Sequence, residues 1–314
     1  MSADTDKKIK LIVIAGPTAA GKTDAAIRIA EKINGEIVSA DSMQVYKYMD
    51  IGTSKPSAAE RARVTHHMLD VVTPGEGYSV ARYQSEARAR VADIAARGAV
   101  PIMVGGSGFY INAVIFDVIF DETDADPDYR AELAETARRM GNDYLHSLLR
   151  EIDPASHEKI HPNNTVKVAR ALEFYRETGR RISEANAEPG NSAPFYDAEI
   201  FILNTERDLL YDRIAERTDR MFGSGLVDEV RSLLGRGYGS GLFAMRGLGY
   251  KEVAAYLERD GEESLDETID AVKRATKNYA KRQLTWFRNR LTGEWVDAAA
   301  DAAGFIMSKL TGDA

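Results

Sequence analysis

Short apolar runs alternate with longer amphipathic segments over the first third of the chain. The runs cover residues 10–16, 37–40, 68–72 and 100–104, and each closes near Gly, Asp or Pro, which predicts buried strands. Helical periodicity fills residues 22–33 and 80–97. Because strands that alternate with helices pair in parallel, the pattern predicts an α/β fold built on a parallel sheet.

The pattern changes after Phe116. Acidic residues crowd the next positions and predict an exposed connection, and residues 129–187 have helical periodicity throughout. Pro, Gly, Asn and Ser at 189–194 predict a return linker, and 198–203 predicts one more strand of the sheet. The rest is mostly helical, with a short strand or loop at 294–296. We therefore predict a core of residues 1–116 and 196–314 that is interrupted by a helical insertion domain at 117–195.

Composition agrees with a folded chain of more than one domain. The 314 residues are 44% hydrophobic and 29% charged, values typical of globular proteins. No apolar stretch approaches the ~20 residues that span a bilayer, so we expect no membrane contact. The polar N-terminus and the lack of cysteine argue against a secreted, disulfide-linked protein, and we expect a cytoplasmic one. The lack of cysteine also excludes a thiol nucleophile or a cysteine zinc site.

The net charge of −8 argues mildly against indiscriminate nucleic-acid binding, but the charge is unevenly distributed. Residues 271–292 contain no acid and seven cations, so the rest of the chain carries about −15. The seven, called here the basic segment, are Lys273, Arg274, Lys277, Lys281, Arg282, Arg288 and Arg290. A solvated helix face usually pairs acids with bases four residues apart, so the absence of acids favours an RNA contact over that alternative.

A glycine-rich motif joins the first predicted strand to the first predicted helix. It matches G-x-x-x-x-G-K-[ST] and comprises Gly16, Pro17, Thr18, Ala19, Ala20, Gly21, Lys22 and Thr23. Such glycines let backbone N–H groups converge on phosphate oxygens, Lys22 adds a positive charge, and the Thr23 hydroxyl can bind Mg²⁺. The motif predicts binding of a polyphosphate with Mg²⁺. By itself it leaves open a kinase, an NTPase or an enzyme with diphosphate as the leaving group.

An acidic residue, Asp41, closes the second predicted strand. Ligands of open α/β sheets bind at the carboxyl ends of the strands, so this carboxylate is placed to hold Mg²⁺ through water or to accept a proton from a nucleophile. The same position also suits the N-cap of a helix. The residues alone do not decide between these roles.

Six motifs together resemble those of the tRNA dimethylallyltransferases and occur in the same order. They lie at residues 16–23, 41–46, 66–70, 105–110, 249–252 and 280–286, so the resemblance covers roughly residues 11–290. It implies a P-loop kinase-like parallel sheet core with an inserted all-helical domain and a helical C-terminal region. It also implies transfer of a dimethylallyl group from dimethylallyl diphosphate to the exocyclic amine of the adenosine just 3′ of the anticodon in tRNA. The chain departs from the family's usual Ser at Ala20, Thr at Ser107 and Leu at Phe109.

The resemblance also implies roles for individual residues. It makes Asp41 the general base, Lys22 and Arg217 the cations that stabilise the leaving diphosphate, and Thr23 the ligand of a Mg²⁺ cofactor. Without the resemblance, Arg217 is better explained as a surface charge paired with Glu216 or Asp212. The implied tRNA contacts are Asp41, Ser42, Met43, Gln44, Ser107, Lys167, Arg170, Arg246, Tyr250, Lys251, Lys281, Arg282 and Gln283. The expected partners are the tRNA anticodon stem-loop and dimethylallyl diphosphate, and we expect a monomer.

Three other functions compete with this one. A nucleoside or nucleotide kinase would share the phosphate loop and Asp41, but it has no use for the basic segment. An adenylate prenyltransferase would use the same donor, and the insertion together with the basic segment favours tRNA as acceptor. A noncatalytic RNA-binding module does not account for the intact Lys22 and Thr23.

Overall fold

The computed structural model describes residues 8–116, 127–187, 194–259 and 264–312. Within these ranges six strands form one sheet in the order β3-β2-β4-β1-β5-β6, and every neighbouring pair is parallel. The strands are β1 (Lys10–Ala15), β2 (Gly35–Ser39), β3 (His66–His67), β4 (Val100–Gly105), β5 (Asp197–Asn204) and β6 (Glu294–Asp297). The α/β fold predicted from the sequence is confirmed.

Fifteen α-helices lie in the described ranges. They are α1 (Lys22–Ile33), α2 (Ala58–Arg63), α3 (Val80–Ala96), α4 (Gly108–Ile115), α5 (Pro127–Met140), α6 (Asn142–Ser147), α7 (Leu149–Ile152), α8 (Pro154–Lys159), α9 (Thr165–Thr178), α10 (Ile182–Ala187), α11 (Arg207–Gly223), α12 (Leu226–Gly235), α13 (Tyr250–Glu258), α14 (Leu265–Arg290) and α15 (Ala302–Thr311). The predicted helix at 22–33 matches α1, and the one at 80–97 matches α3 within one residue. Contacts divide the chain into a sheet unit, residues 1–115 and 194–314, and a helical unit, residues 116–193.

The centre of the sheet is built from mostly apolar strands. β1 is buried apart from its first residue, and Ile12 pairs with Ile102 of β4 on one side and Glu199 of β5 on the other. Ile27 and Ile29 of α1 pack into the same apolar cluster. Because all strands run in one direction, the loops that follow β1, β2 and β4 meet at one edge of the sheet.

β3 is shorter than the sequence predicts. It covers only His66–His67, and the predicted strand at 68–72 is wrong. Asp70 has a φ of 55°, a left-handed conformation that a continuing strand does not allow. Its carboxylate bonds Lys55 Nζ at 2.6 Å and Arg61 Nη1 at 2.9 Å. The segment is therefore a turn that is held by ion pairs, which no local pattern reveals.

The helical unit has an apolar core of its own. Leu133 of α5, Leu145 of α6 and Leu172 of α9 are buried together. The Asn164 side chain accepts the Lys167 N–H and caps α9. In the sheet unit, the Phe195 N–H donates to Ile115 O at 2.7 Å, so the two points where the chain leaves and re-enters that unit lie side by side. No helix in the described parts of the chain is long and apolar enough to cross a membrane.

Candidate active site

The loop between β1 and α1 makes a tight turn that ends at the start of a helix. Gly16 has a φ of 148°, and a Cβ there would lie 2.5 Å from Leu203 O of β5. Gly21 adopts the left-handed conformation and caps α1, and Ala20 is buried in the apolar cluster behind the loop. The first N–H groups of a helix lack intrahelical partners, and the helix dipole favours an anion beside them. The loop therefore forms an anion site.

Lys22 folds back over this loop. Its Nζ donates to Pro17 O at 2.6 Å. Burial, together with the nearby charge of Arg217, lowers the pKa of Lys22 to about 7, while Asp41 acts in the opposite direction. An anion in the loop would favour the charged lysine. The side chain is thus suited to bind phosphate oxygens.

Asp41 begins a turn directly after β2. Its Oδ1 accepts the Met43 N–H at 2.9 Å, and the next helix along the chain, α2, has its own cap at Ser57. Asp41 therefore shapes a turn and is not a helix N-cap. The Ser42 N–H donates to Ser107 Oγ at 3.0 Å, which ties the loop after β2 to the loop after β4.

Arg217 projects from α11 into the same site. It lines a cavity of about 90 Å³ together with Lys22, Thr23 and Asp41. Burial lowers the pKa of Arg217, and the nearby Asp41 carboxylate raises it. The alternative that Arg217 is a surface charge paired with Glu216 or Asp212 is therefore wrong. The cavity brings the two cations, the Asp41 carboxylate and the Thr23 hydroxyl to the end of the phosphate loop.

Gln283 of α14, which the resemblance implies as a tRNA contact, is hydrogen-bonded within the protein. Its side chain is 6% exposed, and its Oε1 accepts the Thr18 N–H at 2.9 Å while its Nε2 donates to Gly106 O at 2.9 Å. A Cβ on Gly106 would lie 2.3 Å from that Nε2. Gln283 therefore fixes the phosphate loop relative to the loop after β4.

Tyr250, another implied tRNA contact, lines a cavity of about 310 Å³ while little of its own surface is exposed. It is 1% exposed and packs in the apolar cluster with Leu226 and Val253, and its hydroxyl donates to Glu229 Oε1 at 2.6 Å. Tyr250 therefore also supports the helices and loops around the candidate site. Gln44 is also hydrogen-bonded within the chain, because its Oε1 accepts a hydrogen bond from the Ser39 hydroxyl at 2.9 Å.

Tyr279 is a site residue that the sequence analysis missed. It lines the small cavity and an adjoining cavity of about 310 Å³. Its hydroxyl is hydrogen-bonded to the side chains of Ser107 and Gln283, and burial, with the Asp41 charge, raises its pKa to about 12. Its position four residues before Gln283 on α14 is the available signal, because residues so spaced share a helix face.

The predicted tRNA contacts fall into two groups. Ser42, Met43, Arg246, Lys251 and Arg282 line the 310 Å³ cavity with Asp41, and Lys281 is exposed on the same helix as Arg282. Lys167 and Arg170 belong to α9 of the helical unit, where Lys167 is exposed and Arg170 Nη1 lies 3.9 Å from Glu173 and Glu177. Within the sheet unit, the implied contacts therefore surround the entrance to Asp41.

The donor set suits Mg²⁺. This ion prefers oxygen ligands, keeps several waters and is often shared with substrate phosphates. Thr23 and Asp41 supply oxygen atoms to one cavity beside the phosphate loop. Among the described residues, no three His, Cys, Asp or Glu side chains form a metal cluster, so phosphate and water oxygens would complete the coordination.

Comparison with known proteins identifies the family. The model of the IPP transferase family matches residues 44–290. The chain is 46% identical over 296 residues to tRNA dimethylallyltransferase 2 of Geotalea daltonii, covering 94% of this chain and 90% of that protein. It is 47% identical over 287 residues to tRNA dimethylallyltransferase of Acetivibrio thermocellus, covering 91% of each.

Solved structures agree. The crystal structure of a tRNA isopentenylpyrophosphate transferase from Bacillus halodurans matches with a TM-score of 0.71 and 41% identity, covering 97% of this chain and 98% of that one. A eukaryotic dimethylallyltransferase described as acting on tRNA matches with a TM-score of 0.83 and 29% identity, covering 97% of this chain and 79% of that one. These matches span the phosphate loop, the helical unit and the basic segment, and the chain belongs to the IPP transferase family.

Proposed function

We propose that the protein transfers the dimethylallyl group of dimethylallyl diphosphate to the exocyclic amine of the adenosine 3′-adjacent to the anticodon in tRNA. The observation that carries the proposal is the small cavity in which the phosphate loop, Lys22, Arg217 and Asp41 meet. The relatives bear the names tRNA dimethylallyltransferase and tRNA isopentenylpyrophosphate transferase, which supports this donor and this acceptor. We expect the enzyme to act as a monomer in the cytoplasm, where its acceptor is found.

The donor diphosphate binds in the phosphate loop. The backbone N–H groups at the start of α1 face its oxygens, Lys22 contributes a positive charge, and the planar guanidinium of Arg217 suits bidentate contact with phosphate. These groups stabilise the charge that grows on the diphosphate as the allylic C–O bond breaks. Mg²⁺, held by Thr23 and by water-mediated contact with Asp41, would neutralise part of the same charge.

Asp41 receives the proton that the reaction releases. The adenine amine is a poor nucleophile, so the protein holds it close to the allylic carbon. The N–C bond forms, the C–O bond breaks, diphosphate leaves, and the amine becomes far more acidic as it acquires the new bond. A carboxylate can then take its proton although it is a weak base.

The acceptor enters from the 310 Å³ cavity. An adenosine within a folded loop has to be turned outward to reach Asp41, and extruded bases are read by hydrogen bonds and stacking. Ser42 and Met43 lie beside Asp41, while Arg246, Lys251 and Arg282 provide positive charge around the entrance. Further phosphate contacts come from Lys281 and, in the helical unit, from Lys167 and Arg170. Such contacts between cations and phosphates make RNA binding depend on salt concentration.

Nucleoside analysis after an in vitro reaction tests the proposal. Purified protein is incubated with Mg²⁺, dimethylallyl diphosphate and unmodified tRNA, and mass spectrometry is applied both to the nucleosides and to ribonuclease fragments, whose masses locate the modified base. We expect a dimethylallyl mass gain on a single adenosine that maps next to the anticodon. Parallel reactions contain AMP or ATP. Prenylation of AMP alone, or phosphate transfer from ATP, would contradict the proposal in favour of the adenylate prenyltransferase or the kinase.

A further inference from the structure

The carboxylate of Glu229 on α12 binds three consecutive backbone N–H groups of a distant loop. Its Oε2 accepts the N–H of Asp50 at 2.9 Å and of Ile51 at 2.8 Å, and its Oε1 accepts the N–H of Gly52 at 3.1 Å. The same Oε1 also accepts the Tyr250 hydroxyl at 2.6 Å. Four donors therefore meet one side chain that lies 177 to 179 residues away from the loop.

The loop so held is a wall of the candidate active site. Gly52 and Thr53 line the 310 Å³ cavity together with Asp41 and Arg217. The backbone of the loop at Gly52 packs closely on the Tyr250 ring, because a Cβ on Gly52 would lie 2.3 Å from a ring carbon. Beyond Thr53, Ser54 lines the groove next to the phosphate loop.

The far end of the loop is fixed independently. The Lys55 side chain, only 1% exposed, donates to Tyr46 O at 2.6 Å and pairs with Asp50 and Asp70. The Gln44 Nε2 donates to Thr53 O at 3.3 Å. Glu229 thus joins the loop to α12 and, through the Tyr250 hydroxyl, to α13, whose Tyr250 and Lys251 line the cavity.

We propose that Glu229 is a positioning residue for prenyl transfer, whose carboxylate sets the place of residues 50–53 as the wall against which the acceptor adenosine lies. The proposal rests on the proposed function. A carboxylate suits the task because it only accepts hydrogen bonds and here meets only donors. Burial, reinforced by the Glu229 charge, raises the pKa of Tyr250, so its hydroxyl remains a donor.

Glu229→Gln is the sharpest test, because it keeps the shape and replaces one acceptor oxygen by an NH2 group. Whichever way the amide turns, its NH2 faces at least one backbone N–H of residues 50–52. A displacement of about 1 Å in a reacting geometry can lower a rate by about 100-fold. We therefore expect kcat for tRNA prenylation to fall at least tenfold. We expect KM for dimethylallyl diphosphate, and Kd for inorganic diphosphate with Mg²⁺, to stay within twofold of the wild-type values.

Glu267→Gln is the matched control. The Glu267 Oε2 accepts the Ser264 N–H at 2.9 Å at the start of α14, so the same chemical change removes a carboxylate–backbone bond that lies outside the three described cavities. We expect this variant to keep the wild-type kcat. Hydrogen exchange, followed by mass spectrometry, should show faster exchange at the amides of residues 50–52 in Glu229→Gln only.

The outcomes separate the two proposals. If wild-type protein prenylates tRNA and Glu229→Gln keeps kcat within twofold, the positioning role is overturned. The positioning role is also overturned if Kd for diphosphate rises by the same factor by which kcat falls, because the substitution then disturbs the donor site as well. If the wild-type protein transfers no prenyl group, the proposed function fails, and unchanged exchange at residues 50–52 in the variant would show that the attachment fails as well.

Discussion

The charge of Asp41 acts on two buried cations, Lys22 and Arg217. Asp41 raises the pKa of both cations, while burial lowers both and Arg217 also opposes the charge of Lys22. A bound diphosphate brings negative charge to the two cations and reduces their dependence on Asp41. Donor binding therefore changes the electrostatic surroundings of both cations.

Removing the carboxylate of Asp41 should affect the chemical step more than binding. We expect Asp41→Asn to lower kcat for tRNA prenylation by roughly 10² to 10⁴, the usual contribution of a positioned base. Steady-state kinetics and direct measurement of diphosphate binding provide the comparison. Near-normal turnover in the variant would contradict the role of general base.

Lys22 should make donor affinity depend on pH. Its pKa is about 7 in the free protein, and a bound anion raises it. Below pH 7 the lysine is charged in both the free and the diphosphate-bound protein, so Lys22 adds no pH dependence to the affinity there. Above pH 7 binding requires proton uptake, and affinity should fall by up to about tenfold per pH unit until the pKa of the bound state is reached.

Calorimetric titration of inorganic diphosphate with Mg²⁺ between pH 6 and 9 measures this dependence. Diphosphate itself titrates in this range, so Lys22→Arg serves as the reference, because a guanidinium stays charged throughout. The wild-type protein should lose affinity with rising pH more steeply than the variant. Parallel curves for the two proteins would show that Lys22 is already charged before the donor binds.

At the scale of elements, α14 serves two surfaces at once. Tyr279 and Gln283, four residues apart, face the candidate active site, whereas Lys281 and Arg282 are exposed to solvent. One rigid helix therefore links the geometry of the phosphate loop to the proposed RNA surface.

Gln283→Leu, a substitution on α14, should weaken diphosphate binding at the phosphate loop. The substitution leaves the Thr18 N–H and Gly106 O without their partner, and unmade hydrogen bonds of buried groups cost about 1–3 kcal/mol each. We expect a lower free energy of unfolding, measured in urea, and a higher Kd for inorganic diphosphate. If Gln283→Leu binds diphosphate as well as the wild type, the phosphate loop does not need this support.

The sequence predicted elements where local pattern dominates. The phosphate loop was recognisable because its glycines, lysine and threonine lie within eight consecutive residues, and α1 and β1 because apolar spacing fixes them. The strand at 68–72 was wrong because ion pairs from Lys55 and Arg61 turn the backbone at Asp70. The hydrogen bonds of Gln283 to Thr18 and Gly106 could not be predicted, because these partners are remote in sequence.

At the scale of the whole molecule, the helical unit is an insertion with adjacent attachment points. The Phe195 N–H donates to Ile115 O, and every residue that lines the three described cavities belongs to the sheet unit. A short linker in place of residues 117–193 can therefore close the sheet unit without stretching it.

Excision of the insertion should separate donor binding from tRNA modification. With residues 117–193 replaced by a short Gly-Ser linker, we expect Kd for diphosphate with Mg²⁺ to remain within about threefold, because the loop and its supports are retained. Prenylation of tRNA should be lost, since the proposed contacts of Lys167 and Arg170 are removed. Retained tRNA prenylation would contradict an RNA-binding role for this unit.

The bond between Thr18 and Gln283 also has a consequence for protein synthesis, because its two residues are 265 positions apart. At about 5–20 residues per second, the phosphate loop leaves the ribosome tens of seconds before the glutamine that orders it. During that interval the nascent chain carries the complete glycine-rich motif but no organised site. A chain that terminates before Gln283 therefore lacks the hydrogen bond that holds Thr18 of this loop.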